Sequence, residues 1–478
     1  MITKNLIDGV WRDAADGSTI AVTDPATDAL IADVAFGGDE DIRAAIESSA
    51  GAQPAWAALS AKDRARAMRR FVEVVSRDAD VLAHLITAEQ GKPLTEARGE
   101  VVYGLGFLEC AAEEATRVYG ELVPSWNAAK RISVMQQPVG VTAAITPWNF
   151  PFAMLARKVG PALAAGCTQI VKPAPQTPLT AMALCAMALE ADIPPGVVNL
   201  VLAPGPIFSK VIFADSRVRK VSFTGSTDVG RELIALSARN ITRLSLELGG
   251  HAPVIVLDDC DIEKAVVGAV QAKFRNNGQS CIAANRFLVA SPLYDDFCSR
   301  FAEMAKKLTV RPGCEDGDVG PLIDDAGVTK VRRHVEDAVD RGAKVLSGGE
   351  LLDLGPGFTD RFFEPTVIAG VEDDMLISTE ETFGPVAGVS AFTSDAEAVL
   401  RANSTPFGLA AYVFGNDASR VLRVVEGLDF GIVGVNDGLP STAQAPFGGM
   451  KASGIGREGG KYVMREYLET KYVSTALS

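Results

Sequence analysis

The chain has 478 residues, of which 47% are hydrophobic and 22% charged, a globular composition that excludes a disordered or coiled-coil chain and predicts roughly two to four domains. Its 60 acidic and 46 basic side chains leave a net charge of −14, which repels nucleic acid and anionic membrane surfaces and sets both aside as partners. Seven cysteines without regular spacing do not make the disulfide framework of a small secreted domain, so reduced thiols in a cytoplasm are expected.

The first residues, Met1 to Asn5, begin no apolar stretch with a small-residue cleavage site, and no secretory signal is expected. Trp11 to Gly17 predicts a turn between short strands. Met68, Phe71, Val72 and Val75 then recur on one face of a helix that should run to near Gly91, with Pro93 just beyond. A second helix carries Val101, Leu105, Leu108 and Ala112 on one face. The long charge-free window from Ile132 to Ala156 is broken by Pro138, Pro147 and Pro151 and is no membrane span. From there the period changes: 139–145, 169–171, 197–201 and 221–223 read as short buried strands, with helices around 154–165, 178–189 and 229–238. Alternating strand and helix specify a parallel sheet covered on both faces.

Such a sheet binds ligands where its strands end and loops lead into helices. Three of those loops stand out: Thr146-Pro147-Trp148-Asn149-Phe150-Pro151, Lys172-Pro173-Ala174-Pro175 and Thr224-Gly225-Ser226-Thr227-Asp228-Val229-Gly230. The last can present backbone N–H groups and a helix dipole to a pyrophosphate, although the same residues also make an ordinary turn. Farther along come Leu246-Glu247-Leu248-Gly249-Gly250, Phe274-Arg275-Asn276-Asn277-Gly278-Gln279-Ser280-Cys281, Glu380-Glu381-Thr382-Phe383-Gly384-Pro385 and Pro446-Phe447-Gly448-Gly449-Met450-Lys451-Ala452-Ser453-Gly454. A free thiol has a pKa of about 8.5 and needs a polar, partly open site to act as a nucleophile. Cys281, in a Gly-Gln-Ser loop, fits that need better than Cys110, Cys185 and Cys298 in helical patterns or Cys167, Cys260 and Cys314 at element ends. No Cys/His pair has metal-ligand spacing, so no metal is expected, and with His84 and His334 in helical patterns a Cys-His hydrolase has little support.

With these motifs in this order, the sequence resembles the aldehyde dehydrogenase superfamily over essentially its full length. Within it, the stretch from Gly140 to Cys167 and the Cys281 region are most similar to succinate-semialdehyde dehydrogenases, and Gly249-Gly250-His251-Ala252-Pro253 also resembles 2-oxoglutarate semialdehyde dehydrogenases. The resemblance implies an α/β protein with a Rossmann-like NAD(P)-binding domain over 1–119 and 140–249 and an α/β catalytic domain over 250–440. A small β oligomerisation arm is expected over 120–139 and 461–478. The arm and the strand around Tyr472, Val473 and Ser474 should pair with neighbouring subunits in a homodimer or homotetramer.

The resemblance also assigns roles. Cys281 would attack the aldehyde carbon, its own N–H and the Asn149 amide would hold the oxyanion, and Glu247 would deprotonate the water that hydrolyses the resulting thioester. Lys158 and Glu458 would support orientation and proton relay, with plain surface charges as the alternative. Thr146, Pro147, Trp148, Gly225 and Leu248 would line the cofactor site, with Lys172 on the adenosine ribose, Ser226 on the pyrophosphate, Glu381 on the nicotinamide ribose and Phe383 packing nearby. Pro175 stands where NAD-preferring relatives often carry a glutamate that repels a 2′-phosphate, so the cofactor is NADP or NAD, with NADP accepted and its preference over NAD left open. Arg157, Arg286 and Ser441 would hold a distal carboxylate. The expected reaction is oxidation of succinate semialdehyde to succinate, with glutarate or 2-oxoglutarate semialdehyde as alternatives and a catalytically silent binding protein of the same fold as the rival class. Ala283 replaces the second cysteine that gives some relatives a local disulfide lock, and His251 replaces an asparagine in a way that bears on substrate chain length.

Overall fold

Two sheets organise the chain in the computed structural model, which describes residues 1–477. The first has eight strands, in the spatial order Gly454–Ile455, Arg243–Glu247, Val218–Thr224, Val141–Ile145, Thr168–Lys172, Val198–Leu200, Asn5–Ile7 and Val10–Arg12. The five central strands run parallel. Val141–Ile145 and Thr168–Lys172 are buried at every position because helices, including Ala153–Ala165 and Pro178–Glu190, cover both faces. The helix Thr227–Ser237 follows the strand Val218–Thr224 directly, as the sequence predicts.

The helix expected to run to Gly91 is two helices, Ala61–Arg77 and Ala79–Gln90. Asp78 leaves helical geometry (φ −103°, ψ 20°), and Arg77 pairs with both Asp78 and Glu190. The break is silent in the periodicity because Met68, Phe71 and Val75 of the first helix and Leu82 and Ile86 of the second enter one apolar cluster in phase. Gly91, at φ 88°, terminates the second helix in the left-handed conformation that glycine tolerates best.

The second sheet has seven strands, in the order Lys344–Ser347, Thr366–Ala369, Val386–Phe392, Ala284–Ala290, Ala252–Val256, Ala410–Phe414 and Ile432–Val435, parallel except for the first. Its core packs Val254, Phe287, Val289, Phe301 and Tyr412. The chain therefore passes from one sheet to the other at 248–251 and returns to pair Gly454 with Glu247. Both crossings fall beside the motifs singled out above.

A third sheet joins Leu468–Ala476, Lys130–Pro138 and Glu121–Val123 in antiparallel register. The C-terminal strand has a partner within its own chain. Tyr472 lies opposite Val134 and Ser474 opposite Ile132 of the same chain. A hydrogen bond of 3.0 Å from the Val139 N–H to the Tyr467 carbonyl sets the two strands side by side, so pairing within the chain requires no association step. Leu122 and Tyr472 on this sheet remain 86% and 63% exposed. Among the described residues no helix is long and apolar enough to cross a membrane.

Candidate active site

The helix Ile262–Phe274 ends just before the nucleophile loop, and three successive residues then take left-handed backbone angles: Asn276 (φ 53°), Asn277 (φ 55°) and Gly278 (φ 66°). Asparagine tolerates this region, but a run of three is strained and persists only where the surroundings impose it. The Asn276 amide donates to the carbonyls of Asn149 (3.0 Å) and Gln279 (3.1 Å), and the Asn277 amide donates to that of Gly320 (2.9 Å). A Cβ on Gly278 would lie 2.2 Å from the Gly384 carbonyl oxygen, which makes glycine obligatory there. A Cβ on Gly250 would lie 2.1 Å from the carbonyl oxygen of Cys281, so the Gly249-Gly250 pair closes directly against the nucleophile's backbone.

Cys281 opens on a cleft of about 520 Å³, where it meets Pro147, Trp148 and Asn149 from the first loop. Gly225, Ser226, Leu248, Glu381 and Phe383 complete the part of the lining expected from the sequence. Trp148 and Phe383 meet edge to face with centroids 5.5 Å apart. The Asn149 side chain donates one N–H to the Gln279 carbonyl at 2.9 Å, and the Asn149 main-chain carbonyl accepts from Lys92 Nζ (2.8 Å) and the Asn276 amide. A carboxamide has two N–H groups, so one remains for an oxyanion beside Cys281. Burial pushes the Cys281 thiol up to about 12, against the pull of the Arg157 charge. At neutral pH the thiol is therefore protonated and needs a base.

Glu247 ends the strand Arg243–Glu247, is 3% exposed, and its Oε2 has no hydrogen-bond partner. Burial and then the charge of Glu458 raise its pKa well above the ordinary carboxylate value. Glu458 is itself buried, 2.5 Å from Lys158 Nζ and 2.7 Å from Arg157 Nε. Burial would raise its pKa too, but Lys158 and Arg157 hold it below the usual value. The surface-charge alternative for Lys158 and Glu458 is thus overturned: the helix Ala153–Ala165 is buried at every position, and its two charges are paired inside.

The cofactor residues divide. Ser226 caps the helix Thr227–Ser237, its hydroxyl accepting the Val229 N–H at 3.4 Å, and Gly230 packs so closely that a Cβ would stand 2.6 Å from Leu248. A cleft lined by the start of the helix Thr227–Ser237 and by the buried Glu381 carboxylate suits the pyrophosphate and a ribose of a nucleotide. Glu381 accepts the Gly250 N–H at 2.9 Å, and burial raises its pKa. Thr146, Lys172 and Pro175 lie on neighbouring strand ends outside that lining. The Thr146 N–H bonds the Lys172 carbonyl at 3.1 Å, and the Lys172 ammonium donates to the Pro173 carbonyl at 3.1 Å and is pushed down to about 8 by burial.

Arg286 is not part of the lining around Cys281. It belongs to the strand Ala284–Ala290, where its guanidinium donates to the carbonyls of His251 (3.3 and 3.1 Å), Arg401 (2.9 Å) and Ala402 (2.8 Å). All of these partners are main chain, and the role is to tie three segments together. Arg157 stacks on the Phe447 ring at 3.8 Å and pairs with Glu458, with Nη2 left unpartnered and its charge close enough to Cys281 to act on the thiol. Ser441 does line a second cavity, of about 470 Å³, and its hydroxyl meets the Tyr103 hydroxyl at 2.5 Å. The cation in that cavity is Arg275, whose guanidinium lies 5.1 Å from the Phe150 ring centre and 5.9 Å from that of Tyr103. The sequence reading passed over Arg275, although it is the single charged residue of the motif Phe274 to Cys281. His251 is buried away from both cavity linings, which removes its expected bearing on substrate length.

A thiol and a carboxamide that share a dinucleotide-sized cleft, with a high-pKa carboxylate buried behind them, suit the covalent oxidation of a carbonyl compound. The chain belongs to the aldehyde dehydrogenase family, whose sequence model, described as "Aldehyde dehydrogenase family", matches residues 11–473. It is 51% identical to the glutarate-semialdehyde dehydrogenase of Pseudomonas putida, over 98% of this chain and 96% of that protein. It is 48% identical to the NADP(+) succinate-semialdehyde dehydrogenase of Escherichia coli, over 99% of this chain and 97% of that protein. The crystal structure of the succinate-semialdehyde dehydrogenase from Burkholderia pseudomallei matches with a TM-score of 0.97 at 47% identity, covering 99% of this chain and 98% of that chain. Among the described residues no group of three or more His, Cys, Asp or Glu side chains could hold a metal ion.

Proposed function

We propose that the chain oxidises a short aldehyde with a distal carboxylate to the dicarboxylic acid, with succinate semialdehyde as the first substrate and glutarate semialdehyde as the second. The observation that carries the carboxylate is Arg275, which shares with Ser441 a cavity beside the nucleophile's own loop, Tyr103 touching both from outside the lining. Arg275 forms bidentate charge-assisted bonds to such a group, and Ser441 adds a hydroxyl. The names of the relatives at 51% and 48% identity support both chain lengths.

Bound NAD(P) supplies the hydride acceptor. Cys281, deprotonated with Glu247 as base, adds to the aldehyde carbon, and the free Asn149 N–H with the Cys281 N–H holds the oxyanion. Loss of hydride leaves a thioester on Cys281. Glu247 releases the thiol proton to solvent and then takes a proton from water; the hydroxide adds to the thioester carbon, and Cys281 leaves as thiolate with release of the acid. A carboxylate whose pKa burial has raised well above the ordinary value is matched to that task. Glu458, clamped by Lys158 and Arg157, sets how readily Glu247 ionises. Glu381 and Ser226 would hold the nicotinamide ribose and the pyrophosphate. Pro175 carries no charge against a 2′-phosphate, which supports use of NADP beside NAD.

The two-sheet arrangement supports a cofactor domain over 1–119 and 140–249, a catalytic domain over 250–440 and an arm over 120–139 and 461–478. The exposed apolar side chains of the arm support a homodimer or homotetramer, and the unpaired thiols support a cytoplasmic location. The test is a kcat/KM panel over succinate, glutarate and 2-oxoglutarate semialdehydes and unbranched aldehydes of equal length, with both cofactors. A preference for the uncharged aldehydes would refute the substrate class.

A further inference from the structure

We propose that His251 is a positioning residue for Glu381, holding the loop 378–382 from beneath so that the carboxylate meets the cofactor ribose. The inference rests on the proposed role of Glu381 and extends it to a residue outside the cleft lining.

Glu381 is held at two points by consecutive residues. The Gly250 N–H donates to its Oε1 at 2.9 Å, and the His251 imidazole, fully buried, has Nε2 2.9 Å from the Ser378 carbonyl oxygen at the start of the same loop. The other ring nitrogen, Nδ1, lies 3.4 Å from Asn285 Nδ2, and Asn285 Oδ1 accepts from Lys273 Nζ at 2.8 Å. A main-chain carbonyl can only accept, so His251 Nε2 carries the proton that is donated to Ser378. In the neutral ring Nδ1 then accepts from Asn285 Nδ2, and Asn285 Oδ1 accepts from Lys273 Nζ. The chain of donors runs one way, from the helix Ile262–Phe274 that leads into the nucleophile loop to the loop that carries Glu381. It requires a neutral imidazole, and burial with the Arg286 charge nearby holds the His251 pKa well below the ordinary value. Arg286 also grips the His251 carbonyl at 3.1 and 3.3 Å, which fixes its backbone.

The other flank of Glu381 is held in the same manner. His334 has Nδ1 3.2 Å from Thr382 Oγ1 and Nε2 3.3 Å from Glu380 Oε2. Two of the three histidines in the chain thus brace the residues around one carboxylate, and neither lines the substrate cavity. The loop between them is short, with the helix Leu376–Thr379 on one side and Phe383 at φ 56° on the other, so a displaced Ser378 moves Glu381 with it.

The test compares His251→Leu with His251→Gln, whose amide can both donate and accept. Cofactor affinity is read on the substrate-free protein by quenching of tryptophan fluorescence with NADP and NAD, since Trp148 lines the cleft. The rate of Cys281 alkylation by iodoacetamide and the KM for succinate semialdehyde are read alongside. His251→Leu is expected to weaken cofactor binding about tenfold, as for one lost buried hydrogen bond, with alkylation and aldehyde KM within about twofold of wild type. His251→Gln should recover most of the affinity. Lys273→Met, which removes the first donor of the chain, should weaken binding in the same direction and gives a second reading if His251→Leu does not fold. Cofactor affinity unchanged in His251→Leu or in Lys273→Met, no recovery with glutamine, or an equal fall in alkylation rate would overturn the role of His251. A wild-type protein that binds neither NADP nor NAD would overturn the proposed function with it.

Discussion

Replacing Arg275 by methionine tests where the substrate carboxylate lands. The guanidinium lies against the rings of Phe150 and Tyr103 and shares its cavity with Ser441. Methionine keeps an unbranched apolar stem against those rings and removes only the charge and the donors. A hydrogen bond to a charged group contributes about 1.5–3 kcal/mol, and each 1.4 kcal/mol is tenfold, so kcat/KM for succinate semialdehyde should fall about 10- to 150-fold. Butyraldehyde has no carboxylate to lose and should change by less than about threefold, on the order of a neutral packing adjustment. The assay is steady-state formation of the reduced cofactor at saturating NADP, with both aldehydes run on wild type and variant. Equal losses on the two aldehydes would show that Arg275 supports the loop rather than the substrate, and the reasoning would fail.

Arg286→Met should leave the ratio of the two kcat/KM values at the wild-type level while lowering the urea midpoint, because three buried carbonyls lose their donors. A selective rise in KM for the semialdehyde would return the carboxylate to Arg286. Glu247→Gln should slow both the first-turnover burst of reduced cofactor and steady turnover, each about 10²- to 10⁴-fold, the usual range for removal of a general base; a burst at the wild-type rate would refute Glu247 as the base for Cys281. In Glu458→Gln the negative charge that raises the Glu247 pKa is gone while Arg157 and Lys158 remain, so Glu247 ionises at lower pH. The acid limb of the kcat profile should move to lower pH, and stability should fall by about 3–5 kcal/mol, since two buried cations lose their partner; a shift of the limb to higher pH would contradict the assignment.

The parallel sheet was legible because strands buried on both faces read as short apolar runs between turn residues, as in Val141–Ile145 and Thr168–Lys172. Cys281, Asn149 and Trp148 were legible because they stand at the ends of such strands or in loops rich in polar residues. The two arginines show what spacing cannot tell. Arg275 and Arg286 lie on either side of Cys281, but the left-handed run from Asn276 to Gly278 turns the chain between Arg275 and the nucleophile, whereas Arg286 sits in a strand whose alternation carries it into the second domain. The burial of Lys158 and Glu458 did have a signal. A helix apolar on all sides is a core helix, so the charges within Ala153–Ala165 must find partners inside. The break at Asp78 and the pairing of Leu468–Ala476 with Lys130–Pro138 depend on contacts between distant segments, which local pattern does not encode.

The strand Gly454–Ile455 closes the edge of the first sheet, with Gly454 against Glu247 at a spacing where a Cβ would stand 1.9 Å from the Leu246 carbonyl oxygen. During synthesis this edge is the last part of the first sheet to leave the ribosome, after every strand of the second. A nascent chain therefore carries Cys281 well before Glu247 is locked in place. Until then the strand Arg243–Glu247 offers an open edge to other chains. Maturation of the chemistry is thus tied to completion of the polypeptide, and a product ending before residue 454 would hold Cys281 but lack the backbone partner that fixes Glu247.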